Sequence, residues 1–198
     1  MPDLTTASVV VDYIRYKLSS EGLENPMFCP LEGANGNGRT LPTSVQTAVR
    51  KLTHEIERRF REDSNGAAIA DSLHVTPSTA SAIFHSVTYE LFHRSPNSEQ
   101  SQLSVHPSWG RICSLLTFSG ALAVRCVQNE MPQMVDQVAN WTIVYINANL
   151  QGWINRNGGW DGLIPPCEQI PDPWMSYRVM LGVAALGAVT ALAVILVR

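Results

Sequence analysis

The chain has 198 residues, 45% hydrophobic and 16% charged, with 14 Lys and Arg against 17 Asp and Glu for a net charge of −3. That length suits one domain with one core, and the slight acidity gives no general electrostatic reason to expect nucleic acid. The four cysteines, Cys29, Cys113, Cys126 and Cys167, show neither Cys-x-x-Cys nor Cys/His ligand spacing, so no metal site is expected.

The first 25 residues carry Asp3, Asp12, Arg15 and Lys17 and lack a basic start followed by an apolar run. No signal peptide is therefore expected, and the body should face the cytosol. Val10, Tyr13, Ile14 and Leu18 recur at three- and four-residue spacing and predict a helix capped by Thr6 or Ser8 and ending near Gly22. Residues 23–43, with Pro26, Pro30, Pro42 and the run GANGNGR, read as a loop. A second helix, capped by Thr43 or Ser44, carries Val45, Val49, Leu52, Ile56 and Phe60 on one face. Thr76-Pro77 joins a cap to a first-turn proline and opens a third helix with Ile83, Phe84, Val87, Leu91 and Phe92 inward. Residues 93–107 are polar, contain two prolines and read as an exposed loop.

Between Arg111 and Arg125 the thirteen residues ICSLLTFSGALAV are uncharged and apolar on nearly every side. A helix without a polar face belongs at the centre of a bundle, and Ser108 is its candidate cap. On that one helix Cys113 and Cys126 would stand roughly 20 Å apart and could not pair. Pro132 starts the next helix, whose apolar surface comes from Met134, Val138, Trp141, Ile143, Tyr145 and Ile146. Asn140-Trp141-Thr142 matches the glycosylation pattern, which carries no weight in a cytosolic helix. A short helix around 150–154 leads to Gly158-Gly159, and a brief turn from Trp160-Asp161 is stopped by Pro165-Pro166.

Residues 165–173 form a proline-rich linker, expected to be stiff and extended. From Val179 to Val197 there are 19 consecutive residues without a charge. As a helix they reach roughly 28 Å, close to the ~30 Å hydrocarbon core of a bilayer. Trp174, Tyr177, Arg178 and Arg198 suit the two interfaces, so 174–198 is expected to be a C-terminal transmembrane anchor. Small residues at Ala184/Ala188 and Gly187/Ala191 are compatible with helix pairing in lipid. The expected architecture is all-α: a helical bundle over 1–164 wrapped around a central hydrophobic helix, then linker and transmembrane helix. His54, His74, His85, His93 and His106 form no ligand pair with a supporting carboxylate, and no phosphate loop or nucleophile motif is present. No catalysis, metal or cofactor is expected.

Ser108-Trp109-Gly110-Arg111, with FSGAL downstream, and WINRNGGWDGL at 153–163 resemble the first and second homology motifs of the B-cell lymphoma-2 (Bcl-2) family of apoptosis regulators. Their separation of about 42 residues also fits, and VVVDYIRYKL at 9–18 is similar to the fourth homology motif of the survival members. With the anchor included, the resemblance covers nearly the whole chain. It implies helix-in-groove recognition of pro-apoptotic family proteins through their amphipathic third-homology-motif helices. Arg111, whose planar fork suits a carboxylate, would meet the partner's aspartate beside Ser108, Trp109 and Gly110. Phe84, Val87, Leu91, Leu115 and Phe118 are candidate groove lining, and each reads equally well as core. Tyr13, Leu18, Val49, Leu52, Ile56, Trp153 and Trp160 read chiefly as structural positions, and Gly158-Gly159 as a tight turn.

The family divides into survival members, which capture partner helices, and effectors, which expose their own homology helix and permeabilise membranes. Here Val49-Arg50-Lys51-Leu52-Thr53-His54 stands where the third motif wants a leucine, three residues and Gly-Asp. Thr for Gly and His for Asp should make this chain a poor ligand for another groove while leaving it able to act as a receptor. WINRNGGWDGL also resembles the effector version, and a tail-anchored adaptor without a death-related role remains a third reading. The resemblance places the protein on the mitochondrial outer membrane or the endoplasmic reticulum, with homo- or hetero-dimers an open question.

Overall fold

The structure, a computed structural model, describes residues 4–23, 41–62, 75–93 and 107–165. Its organising element is the apolar helix, Trp109–Gln128, α4 in chain order. It is preceded by α1 (Leu4–Ser20), α2 (Thr43–Glu62) and α3 (Pro77–His93), and followed by α5 (Met134–Tyr145). Every residue of α4 from Ile112 to Val124 is buried, and so is Cys126. Four helices, α1, α2, α3 and α5, supply the cover. The bundle around one hydrophobic helix is the architecture expected from ICSLLTFSGALAV. Helix α4 is also, among the described residues, the one helix long and apolar enough to cross a membrane, but 78% of its apolar window is buried inside protein.

Buried hydroxyls on α4 are satisfied within the helix. Ser114, Thr117 and Ser119 donate to the carbonyls of Gly110, Cys113 and Leu115 at 2.7, 2.8 and 2.8 Å. Thr142 on α5 meets the Ser119 hydroxyl at 2.8 Å and links the two helices. Cys113 and Cys126 are buried free thiols, and burial pushes the Cys126 thiol up to about 11.

Helix α1 lies very close to α4 at Gly120, where an added Cβ would stand 2.9 Å from Tyr13 Cε1 and 3.2 Å from Lys17 Cγ. That closeness lets α1 reach past α4 to α2. Lys17 Nζ bonds Glu57 Oε2 at 3.1 Å and Glu21 Oε1 at 2.7 Å, and the Tyr13 hydroxyl lies 3.4 Å from Glu57 Oε1. Lys17 and Glu57 are both buried. Burial, then the Glu57 charge, raises the Tyr13 pKa far above its usual value. At the surface of the same seam, Arg50 bonds Asp12 at 3.0 Å and lies 4.6 Å from the centre of the Tyr16 ring. The inward face of α2 is therefore Val45, Ala48, Val49, Thr53 and Glu57, while Leu52 and Ile56 are only partly buried.

Helix boundaries differ from expectation at four places. Helix α1 starts by Leu4, so Thr6 is an interior residue, wholly buried, instead of a cap. The Pro42 carbonyl accepts from Gln46 N at 3.1 Å, which moves the start of α2 ahead of Thr43 and Ser44. The helix expected near 150 is a continuation of α5: Ile146–Leu150 form one widened turn, closed by Gln151 N–H to Ile146 O, which runs into α6 (Gln151–Arg156). Pro132 lies in the turn ahead of α5, which begins at Met134 and not at the proline, whereas Thr76-Pro77 opens α3 as expected. Thr76 and Thr79 bond reciprocally, backbone N–H to side-chain oxygen, at 2.9 and 3.2 Å ahead of the first-turn Pro77. A short 3₁₀ turn, Gly159–Leu163, ends the described bundle, with helical backbone continuing through Ile164 and Pro165. Of the loops expected over 23–43 and 93–107, Thr43 and His93 are helical and residues 24–40 and 94–106 lie outside the described residues, as do most of the linker and the anchor 174–198.

Two stability tests follow from these contacts. Glu57→Ala leaves Lys17 buried with Glu21 alone, and should cost about 3 kcal/mol, the low end for breaking a buried pair. Adding Lys17→Met should recover most of that in a denaturant titration; a single-variant loss below about 1 kcal/mol would show that the pair does not hold α2. Glu130, just past α4, has φ +62, with Glu130 N bonded to Val127 O at 3.1 Å and Met131 N to Cys126 O at 2.8 Å. Glycine is the residue suited to that left-handed cap, so Glu130→Gly should stabilise by about 0.5–1 kcal/mol, read as a raised Tm.

Candidate functional site

Arg111 sits in the first turn of α4, and its placement begins with Ser108. Ser108 is extended (φ −147, ψ 158); its hydroxyl accepts from Arg111 N at 3.4 Å and its carbonyl from Ile112 N at 3.1 Å. Trp109, Gly110 and Arg111 are each partly exposed where the deeply buried stretch of α4 begins. Burial lowers the Arg111 pKa from its ordinary value, yet an arginine remains cationic at physiological pH.

Beneath this turn lies an aromatic cluster built from both expected motifs. The Trp109 ring is 5.2 Å from Trp153 at 70° and 6.0 Å from Trp160 at 46°. Trp160 is buried, whereas Trp109 and Trp153 are partly buried. The chain returns to this cluster through Gly158 (φ +88) and Gly159 (φ +66), the tight turn expected of the pair. Gly162 is required more strictly: a Cβ there would collide with the Asn157 carbonyl oxygen and stand 3.2 Å from Trp109 Cζ2. The far side of Trp160 is pinned by α1, because its indole N–H donates to the Thr6 hydroxyl at 3.0 Å. Motifs 42 residues apart, at 111 and 153, are thus one structural unit.

The five candidate groove residues lie in the core, the second of the two places that the sequence left open for them. Phe84, Val87 and Leu91 on α3 and Leu115 and Phe118 on α4 are all buried in the core. The Phe84 ring packs 6.2 Å from Phe118 and 5.7 Å from Trp141 of α5. Helical periodicity finds an apolar face but cannot say whether that face packs within the bundle or waits for a partner; here α3 turns it inward. Tyr13, Leu18 and Val49 are core residues. Thr53, in place of the motif's glycine, is buried with its hydroxyl on the carbonyls of Val49 and Arg50 at 2.8 and 3.1 Å, and His54 is exposed. Among the described residues no group of three His, Cys, Asp or Glu could hold a metal ion.

Gly162 and Glu57 were not singled out from the sequence, and Thr6 was singled out only as a candidate cap. Thr6 carried a usable signal, since it stands three, four and seven residues before Val9, Val10 and Tyr13 and so shares their buried face. Nothing local marks Gly162, whose constraint comes from the Asn157 carbonyl and from Trp109. Gly162→Ala should cost about 2 kcal/mol and alter the near-UV tryptophan signal, whereas Gly152→Ala, exposed and helical with its nearest obstacle 3.7 Å away, should gain up to about 1 kcal/mol. Equal stability of the two variants in thermal unfolding would remove the strict role of Gly162.

The family described as apoptosis regulator proteins, Bcl-2 family, matches residues 49–160, which run from within α2 to Trp160 of the aromatic cluster. Apoptosis regulator Bcl-2 of Canis lupus familiaris is 34% identical over 153 residues, covering 75% of this chain and 59% of that protein. Apoptosis regulator R1 of Xenopus laevis is 31% identical over 196 residues, covering 94% of this chain and 76% of that protein. Bcl-2-like protein 1 of Rattus norvegicus is 29% identical over 198 residues, covering 79% of each. The chain spans about three fifths of the Bcl-2 proteins that it matches, 59% of the one from Canis lupus familiaris and 63% of the one from Gallus gallus. With the helical bundle, the capped Ser108–Arg111 turn and the tryptophan cluster all in place, the chain belongs to the Bcl-2 family of apoptosis regulators.

Proposed function

We propose that this protein is a survival-type receptor: it captures the amphipathic homology helix of a pro-apoptotic family partner and so restrains permeabilisation of the mitochondrial outer membrane. The observation that carries this reading is Arg111, a partly exposed cation fixed in a capped helical turn above a rigid aromatic base. A planar guanidinium rising from a fixed backbone turn favours a carboxylate delivered at one register of a partner helix. Helix α2 supports the same division of roles. It is joined to α1 through Lys17–Glu57 and Arg50–Asp12, and it offers Thr53 and His54 where a ligand helix would need glycine and aspartate. The uncharged run 179–197 supports attachment to an intracellular membrane, mitochondrial outer membrane or endoplasmic reticulum.

An effector reading rests on a separate observation, the membrane-compatible length and composition of α4. The two readings separate experimentally. Labelled third-motif helix peptides from effector and trigger members are titrated against the full chain in nanodiscs, with and without Arg111→Ala. A receptor should bind with nanomolar affinity, and the variant should lose tenfold or more, about 1.4 kcal/mol and the low end for a charged hydrogen bond. No binding by the wild type, together with liposome leakage caused by the full chain, would overturn the receptor reading in favour of the effector.

A further inference from the structure

We infer that Thr6, in the first turns of α1, is a positioning residue for the Arg111 site, so that docking of the N-terminal helix is read out where the partner's carboxylate binds. The inference rests on the receptor reading above and adds a residue 105 positions away from Arg111. Thr6 is wholly buried and uses both faces of its hydroxyl. It accepts from the Trp160 indole N–H at 3.0 Å and donates to Gln151 Oε1 at 2.8 Å; Gln151 Nε2 in turn donates to Asn155 Oδ1 at 2.8 Å. An indole nitrogen can only donate, so without an acceptor at Thr6 the buried Trp160 loses the bond that fixes its ring.

The consequence runs through contacts rather than distance alone. Trp160 packs on Trp109 at 6.0 Å, and Trp109 is the first residue of α4, between the Ser108 cap and Arg111. On its other sides Trp109 is bounded by Trp153 at 5.2 Å and by Gly162, where no side chain would fit. The Trp109 ring therefore has one closely determined seat, and one wall of that seat, Trp160, is fastened to α1. A shift of Trp160 moves the wall, and with it the backbone turn from which Arg111 projects. Thr6 reaches Arg111 only through Trp160 and Trp109, so its effect belongs to orientation of the guanidinium and not to direct contact with a ligand. Coupling of this kind is reciprocal: a partner held by Arg111 should steady the start of α1, and loosening the start of α1 should weaken the partner.

The test uses the full chain in nanodiscs with Thr6→Val, which keeps the shape and removes the hydroxyl, Thr6→Ser, which keeps the hydroxyl, and Val10→Ala, which opens a cavity in the same helix and leaves the bond. Three quantities are read: peptide Kd, the side-chain N–H resonances of Trp160 and Trp109, and hydrogen exchange of the Arg111 amide, which is bonded to Ser108 Oγ. Thr6→Val should weaken binding about three- to tenfold, move both indole resonances and speed Arg111 exchange. Thr6→Ser should stay within about twofold of wild type, and so should Val10→Ala despite its lost stability. If Val10→Ala weakens binding as much as Thr6→Val, the effect is general destabilisation and the inference fails. It also fails if Thr6→Val leaves the Trp109 resonance and Arg111 exchange unchanged. Should the wild type bind no peptide, the receptor reading falls, while the resonances and the Arg111 exchange still decide the positioning role.

Discussion

From Ile112 to Val124 helix α4 has no side that can face water, and that condition places every other helix of the bundle. An amphipathic helix can be covered by one neighbour, but this one needs several at different angles around its axis. Helices α1, α2, α3 and α5 take those positions. Burial of one or two large side chains is worth a few kcal/mol, so moving any of the four away from α4 would forfeit a large share of a typical domain's stability of about 5–15 kcal/mol. The burial of Phe84 follows from the same condition, since its ring packs on Phe118 of α4.

Polar atoms inside such a bundle have to be satisfied without help from water, and two solutions coexist. Hydroxyls on α4 bond back to their own helix, which adds little to tertiary structure but lets Ser and Thr occupy buried sites. The α1–α2 seam instead uses charge, with Lys17, Glu57, Glu21 and Tyr13 converging where Gly120 lets α1 come close. A buried pair of this kind contributes little net stability compared with well-packed apolar residues, but it penalises any register in which one charge is left behind. It therefore fixes how α2 lies on α1 more than how strongly. One of the chain's two lysines is committed to this seam.

Periodicity and punctuation sufficed for the central helix, the Thr76-Pro77 start and the Ser108 cap, because a helix face and a cap are decided by residues a few positions apart. The same reasoning misplaced the start of α1 by putting Thr6 at a cap, since a hydroxyl that bonds the neighbouring backbone and one that bonds a distant indole look identical in sequence. It divided a continuous helix near 150, because a widened turn carries no mark as clear as proline or glycine. Within the site, the tryptophans and the glycine pair were legible as motif residues. Gly162 was not, because the Asn157 carbonyl and Trp109 that exclude a side chain there are brought together only by folding. The groove candidates are apolar and buried, and helical periodicity alone does not separate a face that meets a partner from one used by the bundle itself.

Arg111 occupies a place that electrostatics makes uncomfortable. The first turn of a helix is the positive end of its dipole, where a cation is disfavoured by about 0.3–1 kcal/mol, and the first turn of α4 carries no acidic residue. Partial burial adds a desolvation cost in the same direction, seen in its lowered pKa. A carboxylate arriving there gains three times over: it pairs with a guanidinium whose hydration is already reduced, it meets the positive end of α4, and it relieves the repulsion between the two. The Ser108 cap and the packing of Trp109 on Trp153 and Trp160 fix the backbone of that turn. On the receptor reading proposed above, that position would favour an acidic side chain presented on an apolar helix, because a planar guanidinium pairs with a carboxylate in a fixed geometry where a lysine offers only a point charge.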